Sequence, residues 1–350
     1  MKTSILALLF AILLATFSYA QDETNEKSKK EMTIYSFVVN RIPDGSHIPM
    51  LGFLNIACGT HNSLDMGFAN FTRKNQTGAQ TGFVNSVRGN LNGAQIGFVN
   101  NTVKNVTGLQ VGFINTGLAK LSGAQVGFVN TSLKKSSLIQ TGFINTCIDT
   151  LKGLQIGFIN TSLKKTNASQ IGFVNTAKTL KGTQIGFVNL ADSIESGVPL
   201  GFLSIVKKGG YHALEVSVTE MYPVNFSYKI GVSQLYTTFN ISYNPSQVKN
   251  IALGAGLGSI IPIGNKVMLN PEFVSQTLFW DNYQQLSSFA AMFGYKFNTN
   301  LSLLAGPSVV LQYGSNERPF SKPFFSFSST NTKNNNNIIT GFRLALRYQL

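Results

Sequence analysis

Charged residues, cysteine and histidine are scarce in this chain of 350 residues. Only 12% of the residues are charged while 43% are hydrophobic, which excludes a disordered chain or a coiled coil. There are two cysteines and three histidines, and no HExxH, CxxC or GxSxG motif or phosphate-cradling glycine loop occurs. Because catalytic, cofactor and metal sites need such residues in such spacings, we expect none of them, and we expect that the protein is not an enzyme.

Long apolar runs are also absent beyond the N-terminus. Residues 1–20 combine Lys2, an apolar stretch over 5–17 and small residues before a predicted cleavage site after residue 20. This pattern is typical of a cleavable signal peptide. No later stretch approaches the roughly 18 apolar residues of a spanning helix. The polar residues at the start of 21–45 predict a flexible linker and a cap. We therefore expect an exported protein without a transmembrane helix.

Acidic residues are outnumbered, with 14 Asp and Glu against 28 Lys and Arg and a net charge of +14. Export makes nucleic acid an improbable target for this excess. We expect an anionic glycan, lipopolysaccharide or a membrane surface to be the acidic partner.

Glycine and phenylalanine are abundant because a Gly-Phe-aliphatic-Asn motif recurs in eleven copies, the last of which has Ser204 in place of the asparagine. Its glycines stand at Gly52, Gly67, Gly82, Gly97, Gly112, Gly127, Gly142, Gly157, Gly172, Gly186 and Gly201, almost always fifteen residues apart. A fixed period of this kind indicates a repeat architecture. Stretches such as 95–100 are short, β-branched and contain glycine, which favours strands. Residues 46–206 are therefore predicted to form a β-solenoid with one turn per repeat, and a meander of short hairpins is the alternative.

Stacked repeats place identical residues in ladders along a solenoid. We expect phenylalanine to fill the core and the Asn and Gln ladders to satisfy backbone groups at the corners. The alternative is that one ladder forms a flat binding face. Cys58 and Cys147 lie six repeats apart, beyond disulfide reach, and are predicted to be small core residues.

Charge within the array is one-sided, with twelve basic residues against two acidic ones between residues 52 and 189. Most basic residues fall seven to ten positions after the motif glycine, so they would line one edge. This pattern predicts either a solubilising edge or a ridge that binds a polyanion. The candidate ridge residues are Lys104, Lys120, Lys134, Lys135, Lys164 and Lys165.

The period changes at residue 211, and residues 211–350 alternate apolar and polar side chains. Phe342 and Leu344 alternate with Arg343 and Ala345, as in a transmembrane β-strand. Eight such segments predict a closed antiparallel barrel of the outer-membrane type, with residues 314–337 as an external loop; a soluble β-sandwich is the alternative. The segments are 212–220, 224–233, 235–244, 250–261, 266–279, 286–297, 301–313 and 338–350.

An eight-stranded barrel is filled by side chains and has no water channel. Several charged residues fall on its predicted inner face. Glu215 is expected to pair with Lys229 and with Arg343 or Arg347, as a structural ion-pair plug.

The tandem GxQ-h-GF-h-N units, where h is aliphatic, resemble a family of bacterial surface-repeat-containing proteins of spirochaetes and Bacteroidetes-like organisms. Members of that family often carry a lipidated cysteine, which is missing at the cut here, so the resemblance leaves anchoring to the C-terminal region. That region resembles the small outer-membrane barrels of Gram-negative bacteria. The sequence thus predicts an all-β outer-membrane protein whose solenoid is an interaction or structural surface. The alternative is a secreted or periplasmic protein that binds an anionic glycan or lipopolysaccharide.

Overall fold

The computed structural model describes residues 33–245, 251–278, 281–313, 322–331 and 336–350. The predicted signal peptide over 1–20 and the charged part of the predicted linker lie outside these residues. The secondary structure of the described residues is all β, and none of them belongs to a helix that could span a membrane. The chain divides into two compact units, Met1–Thr183 and Gln184–Leu350, so that the last two repeats are grouped with the barrel.

Each repeat forms one turn of a solenoid, built from two short strands that are continuous in some turns. The strands are β1 (Val39–Ile42), β2 (Met50–Leu51), β3 (Leu54–Ala57), β4 (Asp65–Met66), β5 (Ala69–Thr72), β6 (Gln76–Val87), β7 (Leu91–Thr102), β8 (Val106–Val111), β9 (Ile114–Gly117), β10 (Leu121–Val126), β11 (Val129–Ser132), β12 (Ser136–Thr141), β13 (Ile144–Cys147), β14 (Leu151–Ile156), β15 (Ile159–Ile171), β16 (Val174–Leu180), β17 (Thr183–Ile194) and β18 (Val198–Lys208).

Strand pairing decides between the two predicted architectures. Strands of successive turns pair in parallel with a register of fifteen residues, so that Gln110 lies beside Gln125 and Asn115 beside Asn130. A hairpin meander would require antiparallel pairs. The solenoid prediction is therefore confirmed, and the hairpin alternative is wrong.

The motif glycine is required at the corner where the first strand of a turn meets the second. A Cβ atom added to Gly112 would lie 2.0 Å from the carbonyl oxygen of Gly97 and 2.6 Å from Nδ2 of Asn100. Heavy atoms cannot approach so closely, so only glycine lets successive turns stack at this point. This steric requirement explains why the glycine of the motif is present in all eleven copies.

Two amide ladders run through the interior of the solenoid. Asn100 Nδ2 donates to Asn115 Oδ1 at 2.8 Å, and the same bond recurs from turn to turn. Gln125 Nε2 donates to Gln110 Oε1 at 2.8 Å, with the opposite direction along the stack. Asn115 Nδ2 also donates to the backbone carbonyl of Val126, which lies at the corner of the next turn. The predicted role at corners is thus confirmed for the asparagines, whereas Gln125 Nε2 donates to the Thr131 carbonyl within a strand.

The expectation that phenylalanine fills the core is wrong. The core is formed by the fully buried amide ladders and by a column of aliphatic side chains such as Leu91, Val106 and Leu121. The motif phenylalanines project outward and keep about two fifths or more of their surface exposed. The inward amides hydrogen-bond along the stack, and the outward rings stack on one another.

The two cysteines are buried in the solenoid as free thiols, as predicted. Burial raises the pKa of the Cys147 thiol to about 12, which makes it unreactive at neutral pH.

The C-terminal region forms a closed barrel of eight antiparallel strands, with two short additional strands, β23 and β27. The strands are β19 (Tyr211–Val218), β20 (Val224–Val232), β21 (Leu235–Tyr243), β22 (Ile251–Gly258), β23 (Ile261–Pro262), β24 (Val267–Leu278), β25 (Asp281–Lys296), β26 (Leu301–Tyr313), β27 (Ser328–Asn331) and β28 (Asn336–Gln349).

Pairing of the first and last barrel strands closes the cylinder. The order is β19-β20-β21-β22-β24-β25-β26-β28, and β28 pairs with β19 through partners such as Glu215 and Arg347. The predicted barrel is confirmed, and the sandwich alternative is wrong because a sandwich would leave two open sheets. Most bounds agree within two residues, but β22 ends at Gly258 and not at residue 261, and β25 begins at Asp281 and not at residue 286. Its polar first residues do not alternate, but β25 pairs with β24 as far as Leu278. Of the predicted loop over 314–337, residues 314–321 and 332–335 lie outside the described residues.

Candidate functional site

Five charged side chains meet inside the barrel. Glu215 on β19, Lys229 on β20, Glu272 on β24 and both arginines of β28, Arg343 and Arg347, are nearly or fully buried. They occupy alternate positions whose neighbours point outward, because side chains alternate between the two faces of a strand. The structure thus brings together the four residues that the sequence selected for the ion-pair plug with Glu272, which the strand alternation also places on the inner face.

Short ion pairs connect the two carboxylates to the three cations. Glu215 lies 2.6 Å from Arg347 Nη2, 3.2 Å from Arg343 Nη2 and 3.4 Å from Lys229 Nζ. Glu272 lies 2.8 Å from Arg343 Nη1 and is also paired with Lys229. Every charge in this cluster has an opposite charge as a neighbour, which is what burial of ions requires.

Neutral side chains that the sequence analysis did not select complete this network. Tyr236 Oη donates to Glu272 at 2.7 Å and accepts from Asn270 Nδ2 at 2.7 Å. Arg347 Nη1 donates to Tyr211 Oη at 3.3 Å. Their inward positions could be found from strand alternation, but their mutual contacts join strands that are distant in sequence.

Free space beside the cluster is unequal: next to Arg347 and Tyr211, a cavity of about 380 Å³ is also lined by Met268 and Lys296, whereas the space beside Arg343 is small. A cavity beside Arg343, lined also by Glu220, Asn225, Gln276 and Ser308, has about 20 Å³, room for a single water molecule. The arrangement is that of a packed ionic core, which holds the strands together across the lumen.

The outer surface of the barrel has the opposite polarity. Its exposed side chains on the strands are predominantly apolar and aromatic. They include Leu214, Val216, Phe226, Phe239, Ile241, Leu253, Phe273, Phe289, Phe293, Leu303, Val309, Phe342, Leu344, Leu346 and Tyr348.

The solenoid carries a second exposed apolar surface, which we call the phenylalanine face. It consists of nine stacked rings and of the outward side chains just before each motif glycine. The rings are Phe53, Phe68, Phe83, Phe98, Phe113, Phe128, Phe143, Phe158 and Phe173, and the preceding residues are Leu51, Met66, Thr81, Ile96, Val111, Val126, Thr141, Ile156 and Ile171. Successive rings are parallel within 6° and their centroids lie 4.9–5.1 Å apart.

The opposite edge of the solenoid is basic. Each turn consists of two strands and two corners, so the loops that follow the second strand lie across the turn from the phenylalanine corner. At this edge Lys104, Lys120, Lys134, Lys135 and Lys164 are exposed and Lys165 is half-buried. Lys164 and Lys165 lie within the continuous strand β15, and the other four lie in loops.

An acidic residue interrupts the basic edge. Lys164 Nζ lies 3.5 Å from Asp149 Oδ1 in the preceding turn. In the stack, Lys104, Lys134 and Lys164 stand at every second turn, about 10 Å apart. The structure therefore arranges the predicted ridge as a spaced column of charges.

A buried His–Asp pair ends the glutamine ladder near the start of the solenoid. Asp65 takes the ladder position and accepts from Gln80 Nε2 at 3.2 Å. His61 Nδ1 lies 2.9 Å from the Asp65 carboxylate, and His61 Nε2 contacts the Ile48 carbonyl at 2.9 Å. An acceptor without N–H groups is the proper end for a ladder whose amides donate toward the N-terminus.

Known proteins offer no guide to this chain. Comparison with protein-family models, curated proteins and solved structures finds no match. Within the described part of the chain, no group of three or more His, Cys, Asp and Glu side chains is placed to hold a metal ion.

Proposed function

We propose that this chain is a non-enzymatic protein of the outer membrane, in which the barrel is the anchor and the solenoid is an interaction surface. The observation that carries the proposal is the inverted polarity of the barrel. Side chains such as Phe226 and Phe293 are more than half exposed on the outside. Inside, Glu215, Lys229 and Arg343 are buried.

Water would favour the reverse distribution. In water, this barrel would expose apolar side chains, which costs hydrophobic free energy. It would also bury five charges, which costs their free energy of hydration. In a bilayer, the outer side chains contact acyl chains and the closed cylinder leaves no strand edge unpaired. A lipid environment therefore accounts for both halves of the pattern at once.

The solenoid supports a role in recognition because its surface is regular and extended. Repeat arrays are commonly used as binding surfaces, since each turn presents the same side chains at a fixed spacing. The resemblance to bacterial surface-repeat proteins agrees with this role and remains a prediction.

Membrane fractionation with alkaline extraction, followed by gels of boiled and unboiled samples, tests the anchor. We expect retention in the outer-membrane fraction and a mobility that changes on boiling, because folded barrels resist detergent below the boiling temperature. Release as a soluble species with one mobility would refute the anchor.

A secreted protein that binds an anionic glycan or lipopolysaccharide is the second candidate, favoured by the column of exposed lysines. Binding to immobilised heparin and lipopolysaccharide tests it. The triple variant Lys104→Ser, Lys134→Ser, Lys164→Ser should then bind at least about tenfold more weakly at low salt. Equal binding by the native chain and this variant would contradict this candidate.

A further inference from the structure

We propose that the phenylalanine face is the contact surface between two copies of this chain. The proposal rests on the proposed role of the solenoid as an interaction surface, and it names the partner. It is carried by the extent of the face, by the distribution of charge around the solenoid and by the spacing of the rings.

The extent of the face fits a protein partner. Eight steps of 4.9–5.1 Å give a ladder about 40 Å long. Nine rings that each keep 42–58% of their surface exposed offer roughly 600–1,000 Å² of aromatic surface. This exceeds the largest patch of a typical monomer, about 300–600 Å², and matches the roughly 800 Å² that each partner contributes to a stable interface.

The distribution of charge favours a second copy. No charged residue stands before a motif glycine from Leu51 to Ile171, or at the ring positions that follow. The basic column of Lys104, Lys134 and Lys164 lies at the opposite edge of each turn. Two copies that meet through their phenylalanine faces therefore keep their basic edges on the outer sides, where repulsion is weakest.

The same charge pattern disfavours an anionic lipid surface as the occupant. Peripheral membrane surfaces place basic residues beside the apolar contact, where the cations reach the headgroups. Here the apolar face would enter the lipid while the lysines point away from it.

The spacing of the rings restricts the kind of contact. Parallel stacking turns the ring faces toward one another along the ladder, so the solenoid presents a regular row of rings. A second copy presents ring edges at the same 4.9–5.1 Å spacing over the same length, so edges can pack regularly along the whole ladder.

The test is sedimentation equilibrium of the full chain in density-matched detergent, over a concentration series. We expect the native chain to form dimers. The triple variant Phe98→Ser, Phe128→Ser, Phe158→Ser removes every second ring over the middle of the face and should weaken dimerisation at least about 100-fold. Because the rings point outward, the turns should still form, which far-UV circular dichroism checks. The variant with leucine at the same three positions keeps an apolar face and should retain part of the association.

The matched control is the variant Lys104→Ser, Lys134→Ser, Lys164→Ser, which changes the same turns on the basic edge. We expect it to dimerise at least as tightly as the native chain. A native chain that stays monomeric, or a serine variant of the phenylalanines that dimerises unchanged, would overturn the proposal. If the native chain is a monomer and binds more detergent than the variant with serine at Phe98, Phe128 and Phe158, the occupant of the phenylalanine face is lipid. Failure of the barrel anchor has a separate readout, since retention in membranes and the boiling shift do not depend on the dimer.

Discussion

The asparagine ladder allows a quantitative test of what holds the solenoid together. Replacement of Asn115 by alanine removes three short hydrogen bonds, to Asn130 Oδ1 at 2.8 Å, to the Val126 carbonyl at 2.9 Å and from Asn100 Nδ2 at 2.8 Å. Each contributes about 1 kcal/mol net. The orphaned amide atoms of the two neighbours are fully buried, and leaving them unsatisfied adds roughly 1 kcal/mol or more. The expected loss is therefore about 3–5 kcal/mol.

Hydrogen–deuterium exchange with mass spectrometry on the full chain measures this loss locally. Because stability in a repeat array is a sum over neighbouring turns, the effect should be greatest in the turns around Asn115. A loss of 3–5 kcal/mol corresponds to exchange faster by roughly 100-fold to several thousand-fold, at about 1.4 kcal/mol per tenfold. Peptides of the barrel should be unaffected.

Asn92→Ala is the matched control, since it is the same substitution at an exposed position of the solenoid. It should change exchange by less than about threefold, because surface substitutions usually stay within about 0.5 kcal/mol. If Asn115→Ala and Asn92→Ala gave the same small change, the ladder bonds would not stabilise the fold and the reasoning would be refuted.

Three further predictions concern the corner, the pH dependence and the barrel interior. Gly112→Ala should destabilise the solenoid by about 3 kcal/mol or more, because the added Cβ would lie 2.0 Å from a backbone oxygen of the neighbouring turn. The control Gly264→Ala should be neutral, because its Cβ would meet no atom within 4 Å. Equal denaturation midpoints for the two variants would contradict this prediction. Burial disfavours the charged form of His61, but the hydrogen bond and charge of the neighbouring aspartate outweigh it, and the pKa is raised above 6.5. Protonated His61 therefore stabilises the fold fully below about pH 6.5, and this stabilisation is lost as the pH rises through the raised folded-state pKa. The measurement is the denaturation midpoint of the native and His61→Gln chains from pH 5 to 9. A difference between the two midpoints that does not change with pH would contradict this prediction. Arg347→Leu removes a partner of the buried Glu215 carboxylate and should lower the free energy of unfolding by about 3–5 kcal/mol. The readout is loss of the heat-modifiable form on gels. Lys207→Leu, which removes an exposed ion pair, should leave that form intact.

The fifteen-residue period and the strand alternation were sufficient to predict both domains. The period alone implies stacked turns, and it places Gln110 beside Gln125 before any coordinates are known. Alternation in the last strand likewise assigns Arg343 to one face and Leu344 to the other. These are local or strictly periodic properties, so they are readable from the order of residues.

Which face of a turn is inside could not be read in the same way. Hydrophobicity favoured phenylalanine for the core, but Phe113 is 43% exposed and Asn115 is fully buried. The amides gain hydrogen bonds only when identical residues of neighbouring turns come within 3 Å, and such a gain does not exist for a single repeat. An outward aromatic ring is partly shielded from water because it stacks on the rings of the turns before and after it.

The amino-acid sequence by itself determined the all-β class, the length and register of the turns, the number of barrel strands and the residues of the ionic core. The tertiary structure decided what lies in the solenoid core, which surface is apolar, and that Tyr236 and Asn270 join the barrel network. The physical reason is the range of the interactions. Periodicity and alternation act between residues close in sequence or one period apart, whereas burial and ion pairing depend on side chains that only folding brings together.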